Sequence, residues 1–490
     1  MTPNPAPPPG QQQPKTVLTV VLLLLFGGLA CCSGLFAVGA YTAYQQQQGK
    51  DLFGKALADA GVKFTKTTKT TKPTVGDDDD TTPPDDEIGD PTAGLNADEE
   101  ADKALFAADV IAQLKEDGHE GYRLDAKRFA LVNDDGAVLQ LGNLYDEYAA
   151  LPEAKKDDYI RQAAQSLLPA EVPAGWSEAK SQVLTTVRER IFVELIGIQT
   201  GKTDQLVFKP LADDLVQVAV FDGANNMQFV TKKNLEDWGI DPDELFLEGK
   251  KNLVARSQKA FANPSPGVWE SQWADNHDIA RALLFDTIRK LKVKGDPVVF
   301  LPQRDHLVIT GSDDDAGLDA VADLLDTYLA LPRANGGRGW RLTKSGLEPF
   351  VPEPDTHLAE LRQKAVAQDA NDQKKALDAK FEKDGTDIFV GTTLFTEDDD
   401  GKPLTYAVWT KGADTLMPKA DFVVFVDIDR PENQRVIAAG KWDDVFKLVG
   451  QKMKPDTSYW PLRYRLKTFP DAKAIKAIGL HPYFARNGGD

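Results

Sequence analysis

Cysteine is nearly missing from this chain. There are two in 490 residues, Cys31 and Cys32, adjacent and inside an apolar run. Adjacent thiols cannot clamp a distant loop, and no second thiol pair is left to build a zinc site. Domain disulfides, thiolate metal centres and thiol nucleophiles are therefore excluded from the soluble part. Histidine is almost as scarce: His119, His277, His306, His357 and His481 stand apart with no HExxH-type spacing, so no metal site is expected. Positive charge is also short. Against 76 Asp+Glu there are 57 Lys+Arg, a formal net charge of -19, and nucleic-acid binding, which depends on Lys and Arg neutralising phosphate, is not expected. No GxSxG elbow occurs, and with so many carboxylates no glycosidase-like pair stands out. No catalytic residue and no cofactor is assigned.

One stretch imitates a nucleotide loop. GIQTGKTDQ, Gly197 to Gln205, carries a GKT end, but only three residues separate Gly197 from Gly201 where the phosphate loop needs four. That loop also joins a strand to a helix, so that amides and helix dipole converge on phosphate. Here VLTTVRERIFVELIG before it has helical periodicity and DQLVFKPL after it has strand character, so the glycines are expected to punctuate a helix-to-strand connection.

What the chain does have begins with an uncharged apolar run from Thr16 to Tyr44. It is long enough for a helix to cross a hydrocarbon core of roughly 30 Å, with Tyr41 and Tyr44 placed as an interfacial belt. A retained single-pass transmembrane helix over 16–44, with the lipid bilayer as partner, is favoured over a cleaved signal peptide or a lipoprotein site at Leu29 to Cys32. Lysines flank the run on both sides, which leaves the side of the soluble bulk open. Before it lies a Pro-rich tail, 1–15. After it, residues 45–100 form a charged stalk: Lys63, Lys66, Lys69 and Lys72 among threonines, then Asp77 to Asp80, Asp85, Asp86, Glu87 and Asp90. This composition is expected to be disordered.

From residue 101 the texture is globular, and the fold class expected is α+β: repeated helix, antiparallel-strand and helix units in two soluble domains. The first spans 101–350. Helices are expected over 102–116, from near Asn143, over 154–168, 178–196, 241–257 and 277–292, and after Asp313. FALVND, AVLQLG, LVFKPL, LVQVAVFD, MQFVT, PVVFLP and HLVITG are the expected strands. Asp241 followed by Pro242 marks a helix start. Residues 351–385 form a linker and a charged helix, and 386–490 a small α+β domain. Asp398 to Gly401 suits a hairpin turn and does not meet the calcium-loop spacing.

The most pointed cluster is Arg304 and Asp305, in the short turn between PVVFLP and HLVITG. The pair fits a local turn-closing ion pair. A guanidinium held at a strand end also suits contact with a carboxylate or phosphate of a ligand or partner, and these two are the candidate site residues.

Three blocks carry a resemblance: LQLGNLYDEYAALP (139–152), DDLVQVAVFDGANNMQFVTKKNLEDWGIDPDELFLEGKKNL (213–253) and GDPVVFLPQRDHLVITGSDDD (295–315). Over about residues 102–345 the chain resembles domain-of-unknown-function family 1444, the YtpQ-like bacterial proteins. The match lies at Asn143, Leu144 and Tyr145; at Leu235, Trp238, Gly239, Leu245, Asn252 and Leu253; and at Pro302, Arg304, Asp305 and Leu307. Lys250 and Lys251 depart from it where alanine is expected before the Asn-Leu pair. The resemblance implies no assigned activity, substrate or cofactor. The functional expectation is a single-pass bacterial membrane protein acting as a binding, scaffolding or envelope-associated module toward an unknown protein or small molecule. An enzyme of unrecognised class with its site near Arg304 and Asp305 is the alternative.

Overall fold

The computed structural model describes residues 93–490, apart from 127, 135–137, 169–171, 202–204, 224–225, 399–400 and 488–490. Helix α1 (Ala93–Glu116) begins within the stretch assigned to the stalk. It buries Phe106, Ala107, Val110 and Leu114 against a small antiparallel sheet of β1 (Arg123–Asp125), β2 (Ala130–Val132) and β3 (Val138–Gln140) and against α2 (Gly142–Ala149) and α3 (Lys156–Leu167). Residues 106–168 thus enclose a core of their own.

Residues 183–384 build four layers. In the first sheet β6 (Leu215–Asp222) lies between β4 (Val183–Glu189) and the pair β5 (Phe208–Pro210) and β7 (Met227–Phe229), with α4 (Arg190–Thr200) leaving β4 directly. Its outer face carries Val183, Ala219 and Phe221 against α5 (Lys232–Trp238) and α6 (Pro242–Arg256). Asp241 caps α6 by accepting from the Glu244 amide at 2.8 Å, with Pro242 in the first turn. The second sheet is six-stranded, in the order β13-β12-β10-β11-β9-β8: β8 (Ala262–Ser265), β9 (Val268–Glu270), β10 (Pro297–Gln303), β11 (His306–Gly311), β12 (Gly339–Leu342) and β13 (Leu347–Phe350). Side chains alternate between its faces. Val299, Leu301 and Ile309 meet Leu184, Val187 and Val218 of the first sheet, while Val298, Phe300 and Val308 meet α7 (Asp315–Leu329) and α8 (His357–Asp384).

The C-terminal unit holds two four-stranded sheets, β15-β16-β18-β19 and β14-β17-β21-β20, comprising β14 (Phe389–Val390), β15 (Leu394–Glu397), β16 (Pro403–Thr410), β17 (Thr415–Pro418), β18 (Phe422–Val426), β19 (Val436–Lys441), β20 (Lys454–Asp456) and β21 (Arg463–Leu466). Helices α9 (Trp442–Val449), α10 (Ala472–Ile478) and α11 (Pro482–Asn487) complete it.

The expected fold class needs correction. The described chain is α+β with several largely antiparallel sheets, but among the described residues no helix is long and apolar enough to cross a membrane. The two longest, α1 and α8, are interrupted by charges throughout. The transmembrane helix expected over 16–44 lies outside the described residues, as do the tail and residues 45–92 of the stalk. Nor is every strand pair antiparallel, since β14 runs parallel to β17 and β16 to β18.

Two expected helices also change. Residues 178–196 contain strand β4 before α4 begins. Both faces of β4 are covered, so its apolar residues run consecutively without alternation, and its β-branched Val183, Thr185, Thr186 and Val187 favour a strand. Residues 277–292 contain only a 3-10 segment, Asp278–Leu283, and a single turn, Phe285–Ile288. In the GIQTGKTDQ stretch, Gly197 is buried inside α4 and Gly201 closes that helix with φ 68°. A helix therefore precedes the glycines, the reverse of a phosphate loop. Lys202, Thr203 and Asp204 lie outside the described residues.

Strand β4 is held in place by close contact with α6. A Cβ on Gly249 would lie 3.0 Å from the Leu184 carbonyl carbon and the Thr185 nitrogen. Gly249→Val should lift α6 from β4 and cost about 1–3 kcal/mol, read as a lower urea midpoint with an unchanged slope.

Candidate functional site: an arginine-lined cleft

A cavity of about 770 Å³ opens where the unit of residues 93–168 meets the first sheet, the β10–β11 turn and α8. This volume lies in the range of small-molecule pockets. Its most informative wall carries three arginines.

Arg188 sits near the end of β4. Its Nη1 donates only to the Val187 carbonyl at 2.8 Å and to Thr186 Oγ1 at 3.4 Å. Its guanidinium carbon lies 5.9 Å from the Phe192 ring centroid and 5.6 Å from that of Phe229, within reach of cation–π attraction. No carboxylate among the described residues pairs with it. Burial pushes its pKa down to about 10, and the positive charge of Arg304 pushes the same way.

Arg304 occupies the two-residue turn between β10 and β11. Its Nη2 donates to Asn276 Oδ1 at 2.6 Å and lies 3.5 Å from Asp305 Oδ2. Burial lowers its pKa, with Arg333 adding to the shift. The sequence had singled out Arg304 and Asp305 together; the structure places Arg304 on the cleft wall, whereas Asp305 is absent from the lining. The Asp305 amide donates to Gln303 Oε1 at 2.6 Å, which closes the turn.

Arg333 comes from the loop before β12, where Gln303 pairs with Ala334 and the Asn335 side chain donates to the Leu301 carbonyl at 2.9 Å. Its Nε lies 2.5 Å from Glu147 Oε1, and Tyr159 donates to the other oxygen of Glu147 at 2.5 Å. Burial first, then the Glu147 charge, raises the Tyr159 pKa far above its ordinary value, so Tyr159 stays a donor. Backbone strain gathers nearby: Asn276 (φ 62°) and Arg333 (φ 59°), both lining the cleft, and Ala274 (φ 52°) are three of the four non-glycine residues with positive φ among the described residues. Strain of this kind concentrates at ligand clamps.

The wall formed by α8 is acidic. Arg338, itself buried, donates to Glu189 Oε1 at 3.0 Å, Asp369 Oδ2 at 2.7 Å and the Ala365 carbonyl at 2.9 Å, with Asp214 at 3.7 Å. Glu189, Asp369 and Asp372 line the cavity. One guanidinium facing three carboxylates stays charged, and the most buried carboxylate keeps its proton: burial raises the Asp369 pKa to about 8, Arg338 opposes this, and Glu189 and Asp372 reinforce it.

Sequence reading missed Arg188, Arg333, Asn276 and Asp369. Arg188 had a signal, a charge inside the otherwise apolar and β-branched VLTTVRERIF. The others are distant in sequence and carry none. Among the residues that carried the family resemblance, Asn143, Leu144 and Arg304 line the cleft. The Asn143 side-chain oxygen is buried with no hydrogen-bond partner. Asn252 instead holds the start of β4, donating to the Lys180 and Val183 carbonyls at 2.7 and 2.8 Å. No protein-family model matches the chain, and no curated protein or solved structure matches it.

The state of Asp369 predicts a pH dependence. Its proton is held up to about pH 8 when folded but is released near about pH 4 when unfolded. The contribution to stability is present in full at low pH and is lost as pH rises through about 8, at no more than about 1.4 kcal/mol per pH unit. Asp369→Asn should flatten the fall in melting temperature across this window. A variant profile parallel to the parent's would show that Asp369 is ionised throughout.

Proposed function

We propose that the protein is a binding module whose cleft takes a small ligand through an anionic group. Arg188 carries this reading: a desolvated guanidinium, free of any carboxylate among the described residues, on the wall of a pocket-sized cavity. Leaving a charge buried and uncompensated is costly, and an incoming carboxylate or phosphate offsets that cost through charge-assisted hydrogen bonds. Arg333 stands near enough to lower the Arg304 pKa, after burial, and both guanidinia add to the same potential. Ile191, Phe192, Leu195 and Met227 supply apolar surface beside them.

Binding is better supported than catalysis. Ser166 is the only aliphatic hydroxyl among the lining residues, and its Oγ donates to the Ala163 carbonyl within α3 rather than to a base. Titration with 4-phenylbutyrate and with inorganic phosphate, followed by calorimetry, tests the reading. At least one should bind, and Arg188→Gln should weaken that binding at least about tenfold, or about 1.4 kcal/mol, with an unchanged or higher melting temperature, because a buried unpaired charge is removed. Equal binding by parent and variant, or no binding of either anion, overturns the proposal.

A further inference from the structure

The arginine wall accounts for only one end of the cavity. The charge of Arg304 acts on Arg188 and that of Arg333 on Arg304, whereas the charges that act on Asp369 are those of Arg338, Glu189 and Asp372. Asp369 faces Arg338 from the chain leading into β12, Glu189 from β4, and Asp372 from its own helix. Asp214, from the chain leading into β6, completes the set around Arg338, with Arg362 also felt there. Asp372 accepts from Gln368 at 2.9 Å and from Lys375 at 3.2 Å, so its charge is already shared. Arg338 is the only cation paired with Glu189 and Asp369 among the described residues, and it also lies 3.7 Å from Asp214, which accepts from Trp340 as well, so carboxylates outnumber the cation they share. The same cavity therefore presents a cationic wall short of an anion and an acidic wall short of a cation, with Ile191, Phe192 and Leu195 of α4 also lining it. A plain organic acid satisfies only the first.

We infer that the ligand is zwitterionic, a short linear peptide with free termini, whose carboxylate meets Arg188, Arg304 and Arg333 and whose ammonium meets Glu189 and Asp369. This rests on the proposed anion-binding reading and extends it to the opposite charge. The partnerless Asn143 side-chain oxygen, buried on the cavity wall, is a ready acceptor for a peptide N–H. The ammonium also replaces the proton that Asp369 carries near neutrality, so binding should expel a proton.

The test compares trialanine with its N-acetylated and C-amidated forms on the full chain, by calorimetry in two buffers of different ionisation enthalpy near pH 7. Trialanine should bind at least about tenfold more tightly than either blocked form and should release a fraction of a proton, while the acetylated form releases none. Asp369→Asn should abolish proton release and equalise the free and acetylated peptides. Arg188→Gln should weaken the free and the acetylated peptides, which carry the carboxylate, and leave the amidated form little changed. Should the free and acetylated peptides bind equally while Arg188→Gln still weakens both, the zwitterion inference fails and the anion-binding reading stands. Should trialanine not bind while 4-phenylbutyrate does, the inference likewise fails alone. Failure of every probe removes both. Because acetylation alters only the peptide, the result does not depend on any variant folding.

Discussion

The four-layered body depends on one buried cation. Arg338 ties the end of β4 through Glu189, the approach to β6 through Asp214, and α8 through Asp369 and the Ala365 carbonyl. Trp340, two residues on, donates to the same Asp214 at 2.8 Å. Burying so many charges gains little net stability, because desolvation offsets much of the Coulomb attraction. What it does give is a defined position: a charged α8 can settle only where its carboxylate finds Arg338. Gly337 reinforces this fit, since a Cβ there would lie 2.6 Å from Leu361 Cβ.

Helix α8 then carries that placement across to the C-terminal unit. Its far half meets Arg463, wholly buried, which donates to Gln373, to the Ala370 carbonyl at 2.5 Å, and to the Gly391 and Leu416 carbonyls at 2.8 and 3.1 Å. Asn371 exchanges hydrogen bonds with the Thr393 backbone at 2.9 and 3.0 Å. A segment read from sequence as a linker and a charged helix is thus a spine between two units. Its scattered polar residues are buried because each is partnered: Asp369 with Arg338 on one side, Gln373 with the Pro461 carbonyl on the other, and Asp372 with Gln368 and Lys375 of the same helix.

This explains which parts of the molecule were legible in the sequence. Local signals served well: Asp241 and Pro242 start α6, the acidic stretch before residue 315 heads α7, and the two-residue turn at Arg304 joins β10 to β11. Legibility failed where burial on every side erased periodicity, as in β4, whose consecutive apolar and β-branched residues carry no alternation to distinguish a strand from a helix. It failed also for the cleft. Arg188, Arg304, Arg333 and Asp369 are joined only by tertiary packing, and no spacing in a single sequence encodes that. Arg304 was visible because a turn exposed it to attention; Asp305 beside it turned away from the lining, as adjacent residues in a tight turn often do.

The unpaired state of Arg188 is the feature least consistent with a purely structural role. The arginines with the least exposed side chains are each paired: Arg281 with both oxygens of Asp275 and 4.2 Å from the Trp273 ring centroid, its Nε alone left without a partner, Arg338 with its three carboxylates, and Arg463 with its carbonyls and Gln373. Arg188 has one carbonyl, one long contact to a hydroxyl and two ring faces. Selection for stability alone favours an apolar residue or a paired one at such a position. The fold gives each of those three guanidinia a carboxylate or a set of carbonyls, and the absence of a carboxylate at Arg188 among the described residues coincides with the cavity and with the strained residues that line it. A largely desolvated charge without a carboxylate partner among the described residues, on the wall of a cavity, is the arrangement in which a bound anion gains most.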